Sequence, residues 1–442
     1  MNLLYFVVHD LGRHLPVYGV PVASPRLAEF AQESIVFNNM FCASPACSPS
    51  RACAMTGLHA RRNGCIGLAH VGYPLPATTP TIVDYLNRAG YETILSGINH
   101  ETLPRQSRYA TDLTLTWSHW RADQAVANAI HYLENRADDR PFYCNIATQH
   151  PHPGTWGSFD PVPQEEIFVP AWCPDSPFVR DQLGRFQASI RFMDHHFGRL
   201  RDALEKLGLL DNTLVVFTTD HGIAVPRAKP DIYDRGTEIA FLARLPEAAH
   251  AGTRNDALLS NIDLVPTFLD WLGVPVPAGL DGKSFLPALR GEPFAGHDAI
   301  FTERNFHGES IDAVRSIRTR THHFLRNLPP SLPAGIAIPP FDAETLGRQP
   351  LAEFSLEDIR KAWPAGLSPR PKEELYDLVR DPEEFHNLAA DPAAAAVRDE
   401  LRARLDAWLA ATGDYALAGN PPPPETAPHG WGDPALWPVI PS

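Results

Sequence analysis

Short apolar runs alternate with amphipathic stretches through the first two thirds of the chain. Leu3 to Val8 is a continuous apolar run of strand length, the pattern of a strand buried on both faces. "SPRLAEFAQE" follows, with Ser24 as helix N-cap and Pro25 in the first helical position. "TPTIVDYLNRAGYETILSG" repeats that grammar: Thr79 caps, Pro80 opens, Gly90 closes, and Tyr91 to Leu95 is the next strand. "DQAVANAIHYLENR" predicts a helix and "PFYCNIAT" the strand after it. Around residues 190 to 207, Ile190, Met193, Phe197, Leu200, Leu204 and Leu207 share one stripe, and "TLVVFTT" returns to strand. Strands alternating with helices predict an α/β fold with a large, mostly parallel sheet flanked by helices.

In such sheets, sites lie beyond the carboxyl ends of the strands. His9 and Asp10 follow the first strand, and Gly97 to His100 follow "TILS". His150 and His152 follow "YCNIAT", and Asp220 and His221 follow "VVFTT". Polar, metal-competent residues therefore stand where four strands end, and they are expected to converge on one edge.

After about residue 300 the texture changes. "SIRTRTHHFLRNL" alternates like an exposed antiparallel strand. "KEELYDLVRDPEEFHNL" reads as a strand, a turn and a short helix, and "VRDELRARLDAWLAAT" as an amphipathic helix. The last 23 residues are rich in proline and read as an irregular tail. The expected division is a catalytic domain over 1–300 and a smaller C-terminal α+β subdomain over 301–442, with no internal repeats.

Composition narrows the function classes. The 442 residues carry a formal net charge of −14, which argues against a non-specific nucleic-acid binder. An anionic substrate must then be held by local positive charge or by a metal. The start, "MNLLYFVVHDLG", has no basic region and too short an apolar run for a secretion signal, and no run is long enough to span a membrane. The expected location is the cytoplasm, with the six cysteines mostly reduced. No CxxC pair is present to suggest a structural zinc site.

One short stretch needs a special explanation. "CSPSRACAMTG", residues 47 to 57, sets Cys47, Pro49 and Arg51 ahead of a run of small residues. The plain alternative is a buried thiol at a helix start. The stretch resembles the C-x-P-S-R…T-G signature of type I sulfatases of the alkaline phosphatase superfamily. "HDLG" stands where that family has an Asp-Asp pair, "TTDHG" resembles its second metal motif, and "ELYDLVRDPEEFHNL" a common C-terminal element. The resemblance covers nearly the whole chain. Among branches it is most similar to the heparan N-sulfatase (sulfamidase) branch, through "DRPFY", "DNTLVVFTTD" and "LVPTFLDWLGVP".

That resemblance implies specific chemistry. Cys47 would be oxidised to formylglycine by a maturation enzyme that reads Cys47, Pro49 and Arg51. A hydrated aldehyde offers two hydroxyls on one carbon: one attacks sulfur, and the other expels sulfate as the aldehyde reforms. Arg51 would hold the nucleophile's oxygen, helped by the helix N-terminus. His9, Asp10, Asp220 and His221 would bind one divalent metal. His9 departs from the family, which usually has Asp there. Calcium is the common family metal, but imidazole ligands bring manganese, magnesium or zinc into consideration. His100, in "SGINHE", would stabilise the leaving hydroxyl of the nucleophile, although Ile98 stands where the family has a lysine. His152, in "HPHPG", would protonate the leaving group, and Lys229, in "PRAKPDIYDRG", would bind sulfate.

The expected function is hydrolysis of N- or O-sulfated sugars or small sulfate esters. A phosphonate monoester or phosphodiester hydrolase of the same superfamily is the alternative. A non-catalytic sulfosugar-binding relative would instead keep an unmodified Cys47 and bind no metal. Neither nucleic acid nor membrane is expected as a partner, and an oligomer is compatible with the sequence.

Overall fold

The computed structural model describes residues 1–328, 368 and 370–415, apart from 138, 226, 308 and 309. The proline-rich tail lies outside the described residues. Four long strands form the centre: β1 (Asn2–Val8), β4 (Glu92–Gly97), β6 (Phe142–Ala147) and β7 (Thr213–Thr219). Between and after them in the chain come β2 (Ile35–Phe37), β3 (Met40–Phe41), β5 (Thr111–Asp112), β8 (Phe241–Arg244), β9 (Arg254–Asn255) and β10 (Leu259–Ser260). The main sheet has eight strands in the order β5-β4-β6-β1-β7-β8-β2-β9, and β3 pairs separately with β10. From β5 to β7 all neighbours are parallel, whereas β8 runs antiparallel to both β7 and β2.

Both faces of the sheet are covered, and its four central strands are buried along their whole length. Leu4, Phe6 and Val8 pack beneath the helix Pro177–Lys206 through Ile190, Met193, Phe197, Leu200 and Leu204. Leu207, expected on that stripe, falls just past the helix end at its C-cap. Leu3, Tyr5 and Val7 face the other way, toward Met55, Leu86, Phe268 and Leu269. The helix at 82 begins two residues later than expected. Thr81, not Thr79, is its cap, because Asp84 completes a reciprocal capping box with Thr81 and the helix runs Ile82–Arg88.

Register fixes the site. Val7 is paired with Ala147, Val8 with Thr219, and Gly97 with Ala147. The four central strands thus end at one level, and the residues after them emerge side by side. Gly97 closes β4 at φ +104, and a Cβ there would lie 1.9 Å from the Ala147 carbonyl oxygen. Only glycine lets β4 approach β6 so closely before the chain turns toward His100.

A second sheet begins at Ala299: β11 (Ala299–His307), β12 (Ser310–Thr319), β13 (His322–Asn327) and β14 (Glu373–Asp377), antiparallel in that order. "SIRTRTHHFLRNL" is therefore not one exposed strand but the hairpin β12–β13. Its Ile317 and Phe324 are buried against the helix Ala395–Thr412. Turns replace the short helix expected after β14.

We expect Gly97→Ala to destabilise the protein by about 3 kcal/mol or more, because the clash is with backbone and cannot be relieved by a side-chain rotation. Denaturant unfolding measures this, and a loss under about 1 kcal/mol would show that β4 and β6 can separate freely.

Candidate active site

The signature residue Cys47 opens the helix Cys47–Thr56, and this helix points its N-terminus at the common strand edge. Cys47 is 2 % exposed. Its Sγ lies 3.2 Å from His221 Nε2 and 3.1 Å from Lys229 Nζ. Burial pushes the thiol up to about 12, although Lys229 opposes the shift. The thiol is therefore protonated at neutral pH and is a poor nucleophile as it stands.

Around it, the turns after β1 and β7 interlock. Asp10 adopts a left-handed backbone (φ 53), and its amide donates to Asp220 Oδ1 at 3.0 Å. The His221 amide donates to the same oxygen at 3.0 Å. Lys229 Nζ bridges both Asp10 oxygens, at 2.8 and 3.1 Å. Burial alone would raise the Asp10 carboxyl, but Lys229 and the nearby imidazoles hold it well below the carboxylate range. Asp220 feels the same opposition of burial by His221, His9 and Arg51, and settles at about 2. Both carboxylates are thus charged, buried and compensated.

His9 is 1 % exposed. Its Nδ1 lies 3.1 Å from Asp220 Oδ2 and 3.7 Å from Asp10 Oδ1, yet neither ring nitrogen makes a hydrogen bond. Burial, with Arg51 adding to it, lowers His9 well below the usual histidine range, so it stays neutral. Single ligand atoms from His9, Asp10, Cys47 and Asp220 all lie within 4.8 Å of one another. His221 stands outside that foursome but close to it: its Nε2 is 3.5 Å from Asp10 Oδ1 and 3.6 Å from Asp220 Oδ1. Its Nδ1 faces the Gly222 carbonyl at 3.0 Å, so Nδ1 carries the proton and Nε2 offers a lone pair inward. Two carboxylates with two inward lone-pair nitrogens, one wholly without hydrogen bonds, fit a divalent ion.

Arg51 differs from expectation. Its guanidinium bonds Asp220 Oδ2 (3.2 Å) and the Val8 carbonyl (3.3 Å), so it clamps the carboxylate rather than the Cys47 side chain. His152 comes within 3.9 Å of Asp10 Oδ2 through Nε2. The Gly154 amide donates to its Nδ1 at 3.1 Å, and burial lowers its pKa to about 4, so at neutral pH the ring proton sits on Nε2. His100 packs 5.2 Å from the His9 ring. All nine residues expected from the sequence are in or against this cluster. His150 is not: it is wedged between Phe159 and Phe192, and its Nδ1 accepts from the Ala122 amide. A groove of about 610 Å³ lined by Arg13, Tyr18, Trp172 and Arg235 contains none of the nine.

Several contributors were missed. Ser50, inside the signature, donates from Oγ to the Asp220 carbonyl oxygen, and Asn261 donates to Ser50 at 3.0 Å. Glu101 accepts from the His100 amide at 3.2 Å. His70 stacks on His100 with 6.1 Å between ring centres. Ser50 had a signal in the motif, but Asn261 and His70 come from distant segments with none.

The chain belongs to the sulfatase family, whose model matches residues 1–274. It is accordingly a hydrolase of the sulfate ester or sulfamate class. A second model, described as N-sulphoglucosamine sulphohydrolase, C-terminal, matches residues 228–327. Human N-sulphoglucosamine sulphohydrolase is 29% identical, over 93% of this chain and 90% of its own length. An ulvan-active sulfatase of Formosa agariphila is 26% identical, over 94% of this chain and 76% of its own. A structure solved with its substrate D-glucosamine-2-N,6-O-disulfate superimposes with a TM-score of 0.72 at 19% identity, covering 95% of this chain and 99% of the other. The phosphonate monoester hydrolase of Agrobacterium radiobacter gives 0.69 at 21% identity, covering 94% and 97%. Both structural likenesses concern the fold. No helix among the described residues is long and apolar enough to cross a membrane.

The buried histidines carry a pH consequence. Burial holds His14, His70 and His150 down, to about 4, 4 and 3, from an ordinary 6.5. At these three sites the unfolded chain therefore binds more protons than the native one below pH 6.5, an effect that Asp194, raised by burial to about 6, opposes in part. Stability should be level above that pH and fall between 6.5 and about 4, each histidine contributing up to about 1.4 kcal/mol per pH unit. Denaturant unfolding across this range tests the sign; a flat profile down to pH 4.5 would contradict it.

Proposed function

We propose that this protein removes sulfate from a sulfated sugar, as an O-sulfate ester or an N-sulfamate, with Cys47 in its formylglycine form as nucleophile. The observation that carries the reading is the position of Cys47. Lys229, His221 and the two carboxylates converge on its Sγ, while the thiol itself is too basic to react. An arrangement so focused on an inert group makes chemical sense once that group is replaced by an aldehyde. Hydrated, the aldehyde supplies one hydroxyl to attack sulfur and a second whose deprotonation expels sulfate.

His9, Asp10, Asp220 and His221 would hold one divalent ion, whose charge there would help to orient the attacking oxygen and polarise a sulfate oxygen. Arg51 keeps Asp220 charged and oriented. Lys229 offsets the charge of the sulfate oxygens, and the helix N-terminus at Cys47 adds to it. His152 donates its Nε2 proton to the leaving oxygen or nitrogen, and His100 supports the leaving hydroxyl of the nucleophile. The chemistry belongs to residues 1–300, and the separate sheet that starts at Ala299 supports a subdomain boundary there.

A maturation enzyme that reads Cys47, Pro49 and Arg51 must meet them before folding ends, because all three are buried. Cys42, Cys47, Cys53 and Cys144 are buried with no disulfide, which supports a cytoplasmic setting.

Two measurements test this. Cys47→Ala should cut turnover by about 10⁴-fold or more while leaving the unfolding midpoint nearly unchanged; substantial residual activity would remove Cys47 from the mechanism. The matured enzyme should show higher kcat/KM on N-sulfoglucosamine and aryl sulfates than on matched aryl phosphonates or phosphodiesters. A clear preference for the phosphorus substrates would leave only the fold and the nucleophile standing.

A further inference from the structure

We infer that His9 makes the metal centre nitrogen-rich and selective for a later divalent transition ion, iron(II) to zinc, over calcium. This rests on the reading that His9, Asp10, Asp220 and His221 hold a metal. The carboxylates keep few oxygen lone pairs for a hard cation of high coordination number. Asp220 Oδ1 accepts two backbone amides at 3.0 Å each, and Oδ2 accepts Arg51 at 3.2 Å. Both Asp10 oxygens face Lys229, at 2.8 and 3.1 Å. Calcium takes six to eight oxygen ligands and gains little from imidazole. This cluster offers two carboxylates whose charge is balanced by two fixed cations.

The remaining donors are nitrogens, of which those of His9 are uncommitted and His221 Nε2 faces Cys47 Sγ at 3.2 Å. His9 is buried with no hydrogen bond at either nitrogen, an arrangement that leaves its lone pair for an ion. Its Nδ1 faces both carboxylates at the spacing that ligands of one ion adopt, 3.1 and 3.7 Å. His221 contributes a second lone pair, fixed by the bond from its Nδ1 to the Gly222 carbonyl. A mixed set of two imidazoles and two carboxylates suits zinc, iron(II) or cobalt(II). An aspartate at position 9 would replace one nitrogen by charged oxygens and shift the preference back toward calcium.

The test uses full-length protein stripped of metal and titrated separately with Zn(II), Co(II) and Ca(II) by calorimetry. Zn(II) should bind at least about 100-fold more tightly than Ca(II), and His9→Asp should shrink that ratio by about 10-fold or more. Pulsed EPR of the copper-substituted wild-type protein should show nitrogen couplings from two imidazoles, which needs no variant to fold. His9→Gln should leave one. A single imidazole coupling in the wild type, or a zinc-to-calcium ratio that His9→Asp does not change, would overturn the inference. Sulfate hydrolysis is scored separately. Sulfatase activity with one imidazole on the metal defeats this inference alone. Two imidazoles without sulfatase activity defeats the proposed function alone.

Discussion

Two aspartates set the terms for the rest of the molecule. Asp10 and Asp220 leave adjacent parallel strands, lie wholly out of solvent, and share a hydrogen bond from the amide of one to the carboxylate of the other. An uncompensated buried carboxylate costs several kcal/mol, and two together cost more. The structure answers with Lys229 on Asp10, Arg51 on Asp220 and a shell of neutral imidazoles. The helix carrying Cys47 is held in register by this requirement. Arg51, one turn in, can reach Asp220 only if the helix begins at the strand edge, and that places Cys47 among the charged groups.

The second cation explains the C-terminal sheet. Lys229 sits on the loop after β7, between Ala228 in the main core and Ile232 and Tyr233, which the smaller sheet clasps. Arg304 bonds Asp231 at 2.6 Å, and Ile232 and Tyr233 pack against Val314, Leu325 and Tyr376. Arg227 donates to the Glu384 carbonyl oxygen at 2.9 Å. The sheet is tied in turn to the half of the chain that carries the candidate site. Arg61 pairs with Asp414 at 3.1 Å, and Arg315 with the same carboxylate at 2.5 Å. Trp408 stacks on Phe301 with ring centres 4.7 Å apart, while Arg61 lies over its face. The position of one ammonium group in the site thus depends on the packing of a separate sheet.

Much of this was legible because two periodic signals agree. Apolar runs marked β1, β4, β6 and β7, and the polar residues after each run named His9, Asp10, His100, His152, Asp220 and His221. Parallel register brings these together, although His150, named by the same rule, packs instead between Phe159 and Phe192. The motif around Cys47 added the position of the proposed nucleophile and Arg51. What stayed hidden needs tertiary information. Nothing local says that Arg51 would bind Asp220 instead of the residue at 47, since either acceptor lies within reach of a helix start. Asn261 buttresses Ser50 from 211 residues away, without a pattern of its own. Thr79 and Thr81 both precede a helical run, and only the Asp84 side chain decides between them. The β12–β13 hairpin was misread as one exposed strand because its arginines alternate with apolar residues. In the folded protein Arg318 turns inward to pair with Asp234 at 2.8 Å.

The central claim is that Cys47 is the precursor of the nucleophile, and that its thiol is only the starting material. Mass spectrometry of the Cys47-containing peptide, from protein purified out of its own host, tests this most directly. The account predicts an aldehyde in place of the thiol methylene, trapped by a hydrazine reagent as a hydrazone. A peptide carrying only an unmodified, alkylatable thiol, from protein that nonetheless hydrolyses sulfate, would contradict it.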